Sequence, residues 1–165
     1  MMPLGHLGIP LLVPILGRRI DIDVRLLMLG ALLPDIIDKP LGHILLSEDN
    51  GRIIAHTMLF AAGILILGVI WRPGLSLSLG VSFHHILDGI FLDRETAMWP
   101  LFGPFESYDF EVTQWFEAFL EPYVIGEELI GLTILIFFIY SNGLYRKDRI
   151  VGFLKNSSSL LSKIN

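Results

Sequence analysis

Cysteine is absent from the chain. That excludes disulfides and thiolate metal sites, so any bound metal would have nitrogen and oxygen ligands. Charge is scarce as well. Asp, Glu, Lys and Arg make up 18% of the residues, against about one quarter in a soluble domain. Lysine and arginine nowhere form a basic block, and the net charge is −5. No nucleic-acid partner is expected of such a surface. No repeat or low-complexity block occurs. Nor does positive charge precede the N-terminal apolar run: Arg18 and Arg19 follow it, where a signal peptide carries its basic residues first. Pro10 and Pro14 also interrupt that run, so a cleaved leader is not expected.

What the chain does have is apolar surface. Hydrophobic residues make up 53% of 165, and the mean hydropathy is +0.64. A soluble domain of this size cannot bury that much, because small domains leave a large share of their area exposed. The runs are long and rich in leucine and glycine, without alternation, so they read as helices. The clearest covers residues 124–141, and its centre, 129–140, carries no charge and ends in aromatics suited to an interface. Further runs cover 53–71, 75–92 and 26–37, with a weaker one at 7–16. Several fall short of the roughly 20 residues that cross a hydrocarbon core. The expected fold is therefore all-α: a compact multi-helix membrane bundle of about four to five short or tilted helices. One domain is expected over residues 1–155, followed by a polar tail at 156–165. Gly63, Gly68 and Gly80 would let helices approach closely. The plainer alternative, a very apolar soluble bundle, fits poorly with a 129–140 segment that has no polar face.

Charge sorts by side. Arg18, Arg19 and Arg25 lie between the first two runs in chain order, Arg72 between the third and fourth, and Arg146, Lys147 and Arg149 after the last. On an up-and-down path these share one side, which the positive-inside rule makes cytoplasmic. The other side takes His6, residues 34–51 and the acidic stretch 93–121; only Lys39, Arg52 and Arg94 add positive charge there. The chain is thus expected to be a multi-pass protein of the cell membrane, with the lipid bilayer as its standing partner.

Ionisable residues next to membrane spans are costly and carry a functional reading by default. His6, Asp35, Asp38, His56 and the pair His84/Asp88 stand out. Singly, each has a plain reading. His6 suits an interface, Asp35 after Pro34 suits a turn, and His56 suits a helix start. Together they fall at one membrane face. His84 and Asp88, four apart, share one side of a helix, while His85 points about 100° away. Imidazole and carboxylate without thiolate suit a catalytic Zn²⁺ or another divalent ion, and a bound cation would explain carboxylates at this depth.

These residues carry a resemblance. Gly5-His6-Leu7, Leu32-Leu33-Pro34-Asp35-x-x-Asp38, Arg52-x-x-x-His56-Thr57 and His84-x-x-x-Asp88, followed by Trp99-Pro100, resemble the membrane-bound metal-dependent hydrolases. The ligand order of that family is in turn similar to zinc-dependent phospholipases C and single-strand-specific zinc nucleases. The likeness covers about residues 5–104. It implies hydrolysis of a phosphoester such as a lipid headgroup. Asp35, His56, His84 and Asp88 would hold a divalent metal, Zn²⁺ by preference. His6 would hold a second metal bridged by Asp88. Asp38 would act as general base or orient a ligand histidine, and Arg52 would clamp a phosphate oxygen or, more plainly, snorkel. The chain departs from the family pattern at two positions. Two residues separate Asp35 from Asp38, with Lys39 where histidine is common, and Gly51 precedes Arg52 where histidine often stands. Both departures favour one metal over several. Two rival classes remain: a cation-coupled transporter, whose sites usually lie at the midplane between repeats, and a non-catalytic metal-binding membrane scaffold.

The charge sorting generates the first prediction. A reporter fused after Lys155 is expected to read as cytoplasmic, and an external signal would move the polar cluster to the cytoplasmic face.

Overall fold

The computed structural model describes residues 3–17, 21–46, 50–105 and 112–155. The basic pair Arg18 and Arg19, part of the acidic 93–121 stretch and the 156–165 tail lie outside these. Every regular element among the described residues is helical, as the runs of leucine and glycine imply.

The N-terminal run forms α1 (Pro3–Gly8), a 3-10 turn (Ile9–Leu11) and α2 (Leu12–Leu16); Pro10 and Pro14 prevent one continuous helix. Next comes α3 (Val24–Pro40), capped by Asp23, whose carboxylate accepts from the Arg25 and Leu26 amides. A wider turn, Leu41–Leu46, extends it. The apolar 53–71 run does not form one helix. Residues Ile54–His56 make a 3-10 turn, and α4 (Met58–Ile70) starts only after Thr57, whose hydroxyl accepts from the Phe60 amide. Likewise α5 (Gly74–Leu87) stops at Asp88 because Gly89 takes a left-handed φ of 63°, which costs glycine little. Short α6 (Arg94–Ala97), α7 (Val112–Leu120), α8 (Pro122–Ser141) and α9 (Lys147–Lys155) complete the chain.

Packing centres on α3 against α5, with α4 folded back on α5, and α1 laid along α8. The two main crossings depend on missing side chains. A methyl group on Gly80 would strike the Leu27 carbonyl, and one on Gly30 the Leu77 carbonyl. At the other crossing, Gly8 meets the Gly131 carbonyl, and Gly131 meets that of Leu4. Such backbone approach is how helices associate where lipid removes the hydrophobic drive. Gly68 faces Gly74 across the α4–α5 turn, whereas Gly63 has nothing within 4 Å and makes no crossing.

The polarity is inverted relative to a soluble domain. On α4, which is 13 residues long and uncharged, Leu59, Leu65, Ile66, Leu67, Val69 and Ile70 are all exposed. The fully buried side chains include His6, Asp38, His56 and His84. Apolar outside and satisfied polar groups inside is what hydrocarbon solvent demands. Among the described residues, α8 alone is both long and apolar enough to cross a membrane unaided. At 20 residues it reaches about 30 Å.

Two ends can be told apart by contacts. Asp23 donates its amide to the Ser76 hydroxyl, and Arg25 donates to the Leu154 carbonyl. The starts of α3 and α5 and the end of α9 therefore gather at one end. The ends of α3 and α5, the start of α4, α1 and the first two turns of α8 gather at the other.

Gly80→Ala should cost about 2 kcal/mol, since backbone must move to admit the methyl group. Gly63→Ala should be neutral or mildly stabilising, because alanine is the better helix former. Thermal unfolding of the detergent-solubilised protein measures both, and equal melting for the two variants would refute the crossing.

Candidate metal centre

At the end of α3, two carboxylates three residues apart share one face. Asp38 turns inward and is fully buried. Burying a carboxylate so deeply requires donors, and the chain supplies them by giving up helix over residues 53–56. The Ile53, Ala55 and His56 amides donate to Asp38 at 2.9, 2.9 and 3.0 Å. The same carboxylate accepts from His56 Nδ1 at 2.7 Å. Asp38 thus folds the turn that presents His56 and fixes the ring within it.

His84, on α5, is fixed in the same sense. Its Nδ1 lies 2.8 Å from the Ala31 carbonyl of α3. A carbonyl can only accept, so Nδ1 carries a proton, and in the neutral ring Nε2 then holds a bare lone pair. Asp38 imposes the same tautomer on His56. Both Nε2 atoms therefore point their lone pairs inward, 3.0 Å apart. Two lone pairs at that distance require a cation or a proton between them.

Two carboxylates complete the surroundings. Asp35 Oδ1 stands 3.7 Å from His56 Nε2 and 3.9 Å from His84 Nε2. Asp88 Oδ2 stands 3.6 and 3.9 Å from the same atoms. Asp88 closes α5 one turn after His84 and turns its other oxygen, Oδ1, to His6 Nε2 at 3.3 Å. The His6 ring lies against that of His84, centroids 4.2 Å apart. One donor atom each from Asp35, His56 and His84 fit within 4.8 Å of one another, as do those of His6, His84 and Asp88. These are groups that could hold a metal ion, and neutral imidazole with carboxylate is a suitable donor set.

Each residue singled out in the sequence has a definite place. Asp35, His56, His84, Asp88 and His6 meet at one centre. His85 does not: its Nε2 reaches the Ala55 carbonyl at 3.1 Å. Asp38 lies behind His56, on the far side of the ring from the centre. Arg52 is not one helical turn before His56, because the turn begins only at Ile54. Its guanidinium instead reaches Asp88 Oδ2 at 3.1 Å. Trp99 stacks on Phe105, centroids 5.0 Å apart.

One residue that the sequence offers only as a departure from the family pattern touches this centre, and one not singled out there supports it. Lys39 Nζ pairs with Asp35 Oδ2 at 2.7 Å. Glu128, in the second turn of α8, accepts from the Gly5 amide at 2.7 Å and the Leu4 amide at 3.3 Å. It thereby caps α1 and sets His6. A signal existed for it: Glu127-Glu128 interrupts the apolar 124–141 run, and such a carboxylate is seldom idle.

The family model of the YdjM inner membrane proteins matches residues 1–150. The chain belongs to that family. The match spans every residue of the centre, from His6 to Glu128. No curated protein and no solved structure matches the chain. Membership in the YdjM family establishes a membrane protein, while the likeness to zinc phospholipases C and nucleases rests on motif order alone.

Asp38→Asn keeps the shape but turns an amide N–H₂ toward donors. Exchange of the amides at residues 53–56 should quicken by about tenfold or more, as read by hydrogen–deuterium exchange. Unchanged protection there would show that Asp38 does not hold the turn.

Proposed function

We propose that the chain is a membrane-embedded, metal-dependent hydrolase of phosphoesters. The observation that carries this reading is the pair of inward Nε2 lone pairs of His56 and His84, 3.0 Å apart, flanked by Asp35 and Asp88. The same nitrogens in a purely structural role would be expected to share carbonyls or hydroxyls, not to face each other. Zn²⁺ suits this donor set best, and Zn–N bonds of about 2.0–2.1 Å bring two neighbouring nitrogens to a little over 3 Å.

A bound divalent ion would acidify a coordinated water and polarise a phosphoryl oxygen. The chain's own residues do the rest. Asp38, sealed behind His56, is best assigned to fixing that ring's tautomer and angle, as carboxylates behind ligand histidines do. Its burial keeps it from substrate, so we assign no proton transfer to it. Asp35, the more accessible of the two carboxylates facing the histidines, would complete the ligand set with them. Asp88 offers one oxygen to His6 and the other to the histidine pair, so it could serve two adjoining positions. Arg52 holds that carboxylate and is exposed enough to meet a phosphate oxygen.

The multi-pass topology belongs to the same reading. Arg25 meets Leu154, near the end of α9, at the end of the bundle away from the centre, which supports a cytoplasmic C-terminus and a centre near the opposite face.

Elemental analysis of the purified protein should find about one zinc per chain, matching the four closest ligands. Phosphate release from a panel of phosphoesters should stop with chelator and with Asp88→Asn. Activity surviving both would refute the metal mechanism, and zinc-loaded folded protein without any hydrolysis would favour a scaffold.

A further inference from the structure

We infer that Lys39 and Arg52 together select a terminal phosphate, so that the substrate is a phosphomonoester and not a diester. This rests on the hydrolase reading above. It departs from what the likeness to phospholipases C and nucleases would imply, since those cleave diesters.

The argument starts from where the two cations stand. Lys39 is held by Asp35 and Arg52 by Asp88, at 2.7 and 3.1 Å. Those two carboxylates converge on the same nitrogen, His56 Nε2, at 3.7 and 3.6 Å. The cations therefore border one centre from two directions. Burial changes sharply across the pair. The Lys39 and Arg52 side chains are 43% and 41% exposed, whereas Asp88 is 2% and His56 and His84 are 0%. A ligand approaching from outside meets the two cations before it meets the imidazoles.

An isolated Lys–Asp pair four residues apart on a helix surface would be worth little. This one differs because Asp35 is committed on its other oxygen to the histidine pair. An ammonium has three N–H groups and a guanidinium five, so each cation can hold its carboxylate and still donate outward. That makes three positions for oxygen: one at the histidine pair, one at Arg52 and one at Lys39. A phosphomonoester has three non-bridging oxygens and two negative charges near neutral pH. A diester has two such oxygens and one charge, and leaves Lys39 without a partner from the substrate. Lys39 thus adds a specificity contact beside the centre.

The test is equilibrium binding of inorganic phosphate and of dimethyl phosphate to the zinc-loaded full chain in detergent. It compares the natural protein with Lys39→Ala, Lys39→Gln and Lys39→Arg, with zinc content measured on each. Phosphate should bind at least about tenfold tighter than dimethyl phosphate, the scale of one charge-assisted hydrogen bond. Lys39→Ala and Lys39→Gln should shrink that gap to about threefold or less with zinc content unchanged, and Lys39→Arg should keep it. A gap that survives both neutral variants, or is missing in the natural protein, overturns the inference and leaves the hydrolase reading standing. Loss of zinc in both neutral variants also overturns it, by making Lys39 a support of the metal site. A natural protein that takes up no zinc overturns the hydrolase reading itself. Competition by a phosphatidate in mixed micelles, set against inorganic phosphate, identifies whether the monoester is a lipid or a soluble compound; either upholds the selection.

Discussion

A single buried carboxylate governs the architecture of this centre. Asp38 accepts three backbone amides and one imidazole proton. Each bond offsets part of the cost of holding charge away from water. The amides come from a stretch of sequence apolar enough to have continued as helix. Their diversion to Asp38 ends that option at residue 56 and places His56 at the mouth of α4. Without Asp38 the three amides would be orphaned together, and the imidazole would lose the partner that sets its tautomer. The turn, the start of α4 and the orientation of the His56 ring are thus a single cooperative unit.

The rest of the bundle positions that unit. Leu11, Val24 and Phe138 pack as a cluster with partly buried neighbours, and the main helix crossings bring backbone onto backbone at glycines. Gly30 and Gly80 bring α3 and α5 close enough for the Ala31 carbonyl to reach the His84 ring. A larger residue at that crossing would separate the helices and detach the ring from its carbonyl. The crossing therefore does two jobs: it supplies the packing, and it sets a histidine tautomer.

Much of this was legible in the sequence, and the limits have physical causes. The helical class followed from run length and composition, and the phase that selects His84 over His85 followed from the four-residue spacing to Asp88. The convergence of His6, Asp35, His56 and Asp88 was suggested by their occurrence at the ends of successive runs. What composition could not show was the break at residues 53–56. Ile53, Ile54 and Ala55 are as apolar as the helix they precede, and only a carboxylate fifteen residues earlier decides their fate. Lys39 read as a departure from a pattern because its partner, Asp35, was counted only as a ligand. Glu128 was hidden because the 124–141 run stays apolar on average despite the adjoining Glu127 and Glu128.

The unequal helices bear on the bilayer itself. The 20 residues of α8 match a hydrocarbon core of about 30 Å, whereas the 13 of α4 and 14 of α5 reach only about 20 Å. In the multi-pass arrangement proposed here, lipid beside α4 and α5 must compress to keep its tails against their exposed leucines and isoleucines. The leaflet would then dimple on the side of the bundle that carries His56 and Asp88. A headgroup in that dimple would sit at the depth of the centre without its tails leaving the membrane. Hydrophobic mismatch would then do the lifting that a soluble lipase must do with a lid or an insertion loop. The membrane around the protein would itself become part of the substrate-delivery path.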